Sequence, residues 1–220
     1  MSNPNVSILS PDKIIKDYQW DNILLASRYA KGKLLDIGCG NKPYKQIFLT
    51  KVSSYTGIDL NNKFADVKGN FLTTKLKRNS FDTVLCTQVL EHTPEPQIFL
   101  NKINKVLKKD GILILSVPFT GSLHEIPHDY FRFTKYALDF MLSKAGFKII
   151  SLKIEGNWIS SLGQDFIFYL ESSYNRYFLK YPKIVLQLAV QLIVRTLSHL
   201  PERITKSSYS HINYLVVAKK

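Results

Sequence analysis

Short, nearly continuous apolar runs recur along the first two thirds of this 220-residue chain, separated by segments of helical spacing. Residues 33–37 form one run, which leads into Asp36-Ile37-Gly38-Cys39-Gly40. Residues 55–60 form a second, ending at Asp59-Leu60; residues 81–87 (FDTVLCT) form a third. Residues 112–117 (ILILSV) form a fourth, after a Lys109-Asp110-Gly111 turn. Between the last two, residues 96–108 carry Ile98, Phe99, Ile103, Val106 and Leu107 at the spacing of a helix. Residues 134–145 read as another helix, with Thr134 as its N-cap and Gly146 as its stop, followed by a strand over 147–154. Strands that are apolar on both faces need cover on both faces. The alternation therefore predicts an α/β, doubly wound, mostly parallel sheet with helices on either side.

Composition narrows the functional classes. A hydrophobic fraction of 45% and a charged fraction of 21% exclude disorder and coiled coil. The length suits one domain over 1–220 with a helical insertion at about 157–210. Two cysteines, Cys39 and Cys86, cannot build a disulfide framework or a four-cysteine zinc site. The net charge of +13 favours anionic partners, but there is no long basic run or RNA-binding signature. A solvated lysine-rich surface is therefore preferred to a nucleic-acid interface. The first residues (MSNPNVSILSPDK) lack the pattern of a signal peptide, and no run of 18 apolar residues occurs. The expected location is cytoplasmic, with the inner face of a membrane as the variant.

That variant comes from the last third. Residues 158–200 read as helical and aromatic-rich, with Gln187, Gln191, Arg195 and Ser198 on one narrow polar stripe. Tyr169, Tyr174, Tyr177, Phe178 and Tyr181, beside Arg176, Lys180 and Lys183, suit a membrane interface. They suit a homodimer interface or an ordinary core equally, and all three stay open at this point. Residues 211–220 (HINYLVVAKK) read as a closing strand.

The glycine pair sits where a strand turns into a helix. Glycine there lets a ligand approach the backbone, and Pro43 is expected in the first turn of the following helix. Asp59 follows Gly38 by 21 residues, at the end of the next strand, where a carboxylate can accept both hydroxyls of an adenosine ribose. A dinucleotide fingerprint wants a third glycine or alanine where this chain has Pro43, and the acid at Asp36 also points away from it.

With LLDIGCGNKPY, YTGIDL, NSFDTVLCTQVLEH and LKKDGILILSVPF in this order, the chain resembles the class I S-adenosylmethionine-dependent methyltransferases, in particular their bacterial type 11 group. The likeness covers roughly residues 33–150. It implies a Rossmann-like methyltransferase fold of seven strands, whose last strand is antiparallel and here follows the helical insertion. It also implies S-adenosylmethionine as cofactor. Asp36, Gly38 and Gly40 would line the methionine part, Asp59 would hold the ribose, and Leu60 would lie against the adenine. Asn70 falls where the family often has an aspartate that reads the adenine amino group. Thr87 and Gln88 would stand near the sulfonium. Glu91-His92 belongs to a recurring family motif there, with a helix cap packed beneath the site as the alternative.

The segment HEIPHDYFRFT resembles a subgroup often encoded beside surface-polysaccharide genes. His124 and His128 also match the letters of the zincin motif His-Glu-x-x-His, but Pro127 opposes the continuous helix that this motif needs, so no metal is expected. The segment follows the fourth strand and therefore lies at the carboxyl edge of the sheet, where open α/β folds bind ligands. His124 is the first choice for the base that deprotonates an acceptor and His128 the second, with Asp129 or Glu125 orienting it. Glu125, Tyr130 and Arg132 are candidates for holding the acceptor. The expected reaction is O-methylation of a small-molecule or sugar hydroxyl. A lipid or quinone precursor is the alternative acceptor, and a non-catalytic cofactor-binding module is the alternative class.

Overall fold

A computed structural model describes residue 3 and residues 6–173, 180–197 and 210–220. Its elements are α1 (Lys13–Ala26), β1 (Lys33–Ile37), α2 (Lys45–Phe48), β2 (Ser54–Asp59), β3 (Val67–Lys68) and β4 (Phe81–Thr87). They continue with α3 (Pro96–Val106), β5 (Leu107–Pro118), α4 (Lys135–Lys144), β6 (Lys148–Glu155), α5 (Trp158–Ser173), α6 (Lys180–Leu197) and β7 (Asn213–Lys219). One seven-stranded sheet has the order β3-β2-β1-β4-β5-β7-β6. The pairs β2–β3, β1–β2, β1–β4 and β4–β5 are parallel, and the antiparallel strands lie at the edge. The order reverses direction between β1 and β4. That is the switch point at which such sheets open a crevice beyond their carboxyl ends.

The chain forms two compact units. The larger comprises residues 22–118, 124–153 and 214–220, and the smaller comprises 1–21, 119–123 and 154–213. In the larger unit, Leu34, Leu35 and Ile37 of β1, Val84, Leu85 and Cys86 of β4, and Leu113–Leu115 of β5 are buried, as strands covered on both faces require. Helix α3 buries Phe99, Leu100, Ile103 and Val106, one stripe of its surface worth about 1.5–3 kcal/mol per side chain. Thr134 caps α4 by accepting the Ala137 N–H at 3.1 Å, and Gly146 (φ +83°) ends it, both as expected.

Two local expectations change. The helix over 96–108 stops at Val106, and β5 begins at Leu107 rather than Ile112. Phe81 pairs with Leu107 and Thr83 with Ile112, so the Lys109-Asp110-Gly111 turn is a bulge carried within the strand, with Asp110 at φ +60°. Pro43 precedes the N-cap Tyr44 of a single-turn helix instead of sitting in its first turn. Residues 158–200, read as helical, hold α5 and α6. Tyr174, Arg176, Tyr177 and Phe178, and Ser198 with the two residues after it, lie outside the described residues, as do the side chains of Lys180, Tyr181 and Lys183.

The smaller unit has its own core of Ile14, Ile159, Ile167, Val194 and Ile212. Gly163 lets α5 and α6 touch: a Cβ there would lie 2.3 Å from Val194 Cγ2. Two members of the polar stripe of α6 face inward, while Arg195 is exposed. Gln187 and Gln191 donate to the carbonyls of Leu9 and Ser10 at 3.1 and 3.2 Å, and Gln164 of α5 donates to that of Pro11 at 2.7 Å. Val185, Leu192 and Ile193 are exposed instead. Among the described residues, no helix is long and apolar enough to cross a membrane.

Candidate active site

The first half of the site grows from the ends of β1 and β2. Gly38 and Gly40 adopt φ +68° and +49°, which a side chain resists. At Gly38 a Cβ would meet Val89 Cγ2 at 2.3 Å, whereas at Gly40 it would meet nothing within 4 Å. Gly38 thus closes the turn, and Gly40 borders open space. The turn is pinned to β2, with the N–H groups of Gly38 and Cys39 donating to the Ile58 carbonyl at 2.8 and 3.2 Å. The Asp59 carboxylate accepts the Gly40 N–H at 3.0 Å on one oxygen and those of Asn61 and Asn62 at 3.2 and 3.1 Å on the other. Backbone amides therefore fix the acid at the mouth of the glycine turn.

Asp36 lies beneath, buried, and accepts a hydrogen bond from the Tyr55 hydroxyl. Burial pushes its carboxyl up to about 7, against the pull of the Tyr55 hydrogen bond and the Lys42 charge. Burial likewise raises the Cys39 thiol to about 12 and the Cys86 thiol well above its ordinary value, so neither is a thiolate at neutral pH. The Asp36 shift has a measurable sign. A carboxyl with a raised folded pKa favours the fold fully below about 4, and that contribution is lost as pH rises through about 7. Asp36→Asn is expected to flatten the fall in thermal stability between pH 4 and 7. Parallel melts of the two proteins, with identical slopes across that window, would disprove it.

The other expected cofactor residues lie at neighbouring loops. Leu60 is exposed just past β2. Asn70 is exposed, and its Oδ1 accepts the Leu72 N–H at 2.8 Å. Its turn is tied to α3 by Lys102 Nζ, which donates to the carbonyls of Leu72 and Thr74 at 2.8 and 2.7 Å. Thr87 ends β4, and Gln88 follows at φ +54°. Gln88 is fastened to β5, its N–H donating to the Ser116 carbonyl at 2.9 Å and its Nε2 to Ser116 Oγ at 3.1 Å.

The second half lies past the ends of β4 and β5. The segment from His124 to Phe133 contains a turn and no helix, so His124 and His128 do not share a helical face. Arg132 grips Asp129 with both terminal nitrogens, at 2.7 and 2.8 Å. Those bonds hold the Asp129 carboxyl down at about 2. The same carboxylate accepts the His124 N–H at 3.0 Å and lies 3.4 Å from His124 Nδ1. His128 turns away, its Nδ1 3.3 Å from the Tyr130 hydroxyl. Glu125 is largely exposed and Tyr130 half-exposed, while Phe133 belongs to the core.

The sequence left Glu91 and His92 open between a family motif near the sulfonium and a cap packed beneath the site, and the structure brings them into this cluster. Both sit in a single 3-10 turn, Leu90–His92, directly after β4. Glu91 is fully buried, and neither carboxylate oxygen has a hydrogen-bond partner. The His92 ring meets that of His124 edge-on, with centroids 4.8 Å apart. A glutamate next to a histidine at the carboxyl end of a central strand was the available signal. Its burial depends on the 124–133 loop, more than thirty residues away, and so could not be read locally. The argument against metal concerned only the pair His124 and His128, whereas the side chains that converge are Glu91, His92 and His124.

The glycine turn, the acid one strand over and a titratable cluster at the same sheet edge form one candidate site, on a fold shared with S-adenosylmethionine-dependent methyltransferases. Residues 35–115 match the type 11 family model of a methyltransferase domain. A ubiquinone biosynthesis O-methyltransferase of Pelagibacter ubique is 30% identical over 120 residues, 48% of this chain and 49% of that protein. The chain thus spans about half the length of the curated relatives it matches. An Archaeoglobus fulgidus S-adenosylmethionine-dependent methyltransferase shares the fold at TM-score 0.58 and 18% identity, over 95% of this chain and 97% of that one. The cyclase SpnF shares it at TM-score 0.61 and 18% identity, over 93% and 80%.

Proposed function

We propose that the protein transfers a methyl group from S-adenosylmethionine to an oxygen of a small-molecule or sugar acceptor. The observation that carries the choice of oxygen is an imidazole at the sheet edge, His124, oriented by a carboxylate that Arg132 keeps ionised. An alcohol must lose its proton as the new bond forms, and a neutral histidine accepts it near pH 7.

The cofactor residues fit the group they would hold. Gly40 borders open space, and Asp59 is set beside it by three backbone amides. Bound there, S-adenosylmethionine supplies a methyl group already activated by its sulfonium. In this reading Asp36, Gly38 and Gly40 line its methionine part, and Asp59 binds the ribose hydroxyls. Leu60 and Asn70 meet the adenine, and Thr87 and Gln88 stand toward the reacting end. Glu125 and Tyr130 receive the acceptor, and Arg132 acts on it through Asp129. His128 is the second proton acceptor, and the cytoplasmic setting belongs to the same reading.

A second reading, methylation of a quinone or lipid precursor, draws on the relatives' name and on the exposed Ile126, Tyr130 and Phe131 of the loop. The test is turnover of S-adenosylmethionine to S-adenosylhomocysteine with sugar and phenolic acceptors side by side. Sugar-dependent turnover supports the first reading and phenol-dependent turnover the second. Tight cofactor binding with no turnover on any acceptor would demote the chain to a binding module.

A further inference from the structure

Glu91 is the one place in the larger unit where a fully buried carboxylate has no hydrogen-bond partner on either oxygen among the described residues. Buried polar groups in folded proteins are nearly always satisfied, so a buried acid left bare is either neutral or the partner of a bound cation. Two imidazoles lie beside it. One atom each from Glu91, His92 and His124 can be chosen so that all three lie within 4.8 Å of one another. We propose that Glu91, His92 and His124 form a binding site for a divalent transition-metal ion, zinc foremost.

The surroundings of the two rings match those of metal ligands. His92 Nδ1 lies 3.0 Å from the His128 carbonyl oxygen, the contact that fixes an imidazole as its Nδ1–H tautomer and presents Nε2 to a metal. His92 Nε2 lies 3.8 Å from Glu91 and 3.9 Å from Glu125. His124 Nδ1 lies 3.4 Å from both Asp129 Oδ2 and Arg132 Nη2, so the ring presents Nε2 to an ion in the tautomer whose Nδ1–H points at Asp129. Two nitrogens and one oxygen are the donor set of a zinc site that keeps a coordination position open. Zinc bonds of about 2.0–2.2 Å place neighbouring ligand atoms roughly 3.4 Å apart. The three side chains must therefore draw together by about an ångström, and His124, with 42% of its side chain exposed, has room to move.

The site would not be a zincin in disguise. His128 takes no part through its side chain, and the ligands come from two chain segments rather than one helix. This inference rests on the methyltransferase reading only for what the ion does there, which is to bind an acceptor oxygen and ease the loss of its proton. The binding itself stands alone.

The test is calorimetric titration of chelator-treated protein with Zn²⁺. The expected result is one saturable ion per chain. Glu91→Gln and His124→Ala are each expected to weaken it by more than the roughly 10–100-fold that loss of an outer partner costs, and Asp129→Asn by about that amount. His128→Ala is expected to bind normally. Thermal melts identify any variant that fails to fold, and the exposed position of His124 keeps at least that substitution interpretable. No saturable binding by the wild type would overturn the site, as would unchanged affinity in folded His124→Ala. A loss confined to His128→Ala would overturn it too, by restoring the His-Glu-x-x-His pair. S-adenosylhomocysteine binding, measured on the same zinc-free samples, separates the two ideas. Cofactor binding without zinc binding rejects the ion site alone, and zinc binding without cofactor binding upholds the site while rejecting the methyltransferase reading.

Discussion

His124→Ala is expected to lower kcat on the true acceptor by about 10²–10⁴-fold, the range spanned by positioned acid–base groups. Whether the imidazole takes the acceptor's proton itself or holds an ion that eases its loss, the substitution removes the group that Asp129 orients. Cofactor affinity is expected to stay within a fewfold of wild type, because the Gly38–Gly40 turn and Asp59 lie on other strand ends. Stability is expected to change little, since His124 is well exposed. Steady-state kinetics with an identified acceptor decide the matter. Undiminished turnover in both His124→Ala and His128→Ala would mean that no histidine of the loop handles the proton.

Asp59→Ala is expected to weaken S-adenosylhomocysteine binding by roughly ten- to a hundredfold, the equivalent of losing a charge-assisted contact worth about 1.5–3 kcal/mol. Part of the loss would be indirect, because the carboxylate also accepts the N–H groups of Gly40, Asn61 and Asn62 and so shapes the turn. Asp59→Asn separates the two contributions: it keeps an acceptor for the amides and removes the charge. Calorimetry that finds equal affinity in wild type and Asp59→Ala, or tight binding of NAD to either, would exclude the assignment.

How far the sequence carried these conclusions depended on how local each signal was. β1, β4 and the glycine turn were legible because the apolar runs and the two glycines act within a few residues of one another. The Thr134 cap and the Gly146 stop were legible for the same reason. α1 was not read at all, and β3 is only two residues long, too short for any periodicity. The Lys109-Asp110-Gly111 break was misplaced because turn residues also serve a bulge, and only pairing with Phe81 and Thr83 tells the two apart. In the site, the Asp129–Arg132 pair and the His124–Asp129 contact join neighbours in sequence and could be anticipated. The emptiness around Glu91 could not, because a carboxyl's burial is decided by a loop that arrives from a different strand. The inward glutamines of α6 show the same limit. Gln187 and Gln191 stand out as polar, yet nothing near them in sequence says that they point at Leu9 and Ser10.

Those two glutamine contacts also set an order of events during synthesis. The side chain that binds the Leu9 carbonyl is made 178 residues after it. At about 5–20 residues per second, that interval is roughly 10–35 seconds. For most of it, residues 9–11 lack the α5 and α6 surfaces on which they finally rest. The strands and helices between residues 22 and 118 complete their own parallel pairings in the meantime. β7, made after α6, still has to take its place between β5 and β6, so neither unit is complete until the end, and a nascent chain stalled before α6 is expected to be cleaved by protease around residues 9–11 while β1–β5 resist.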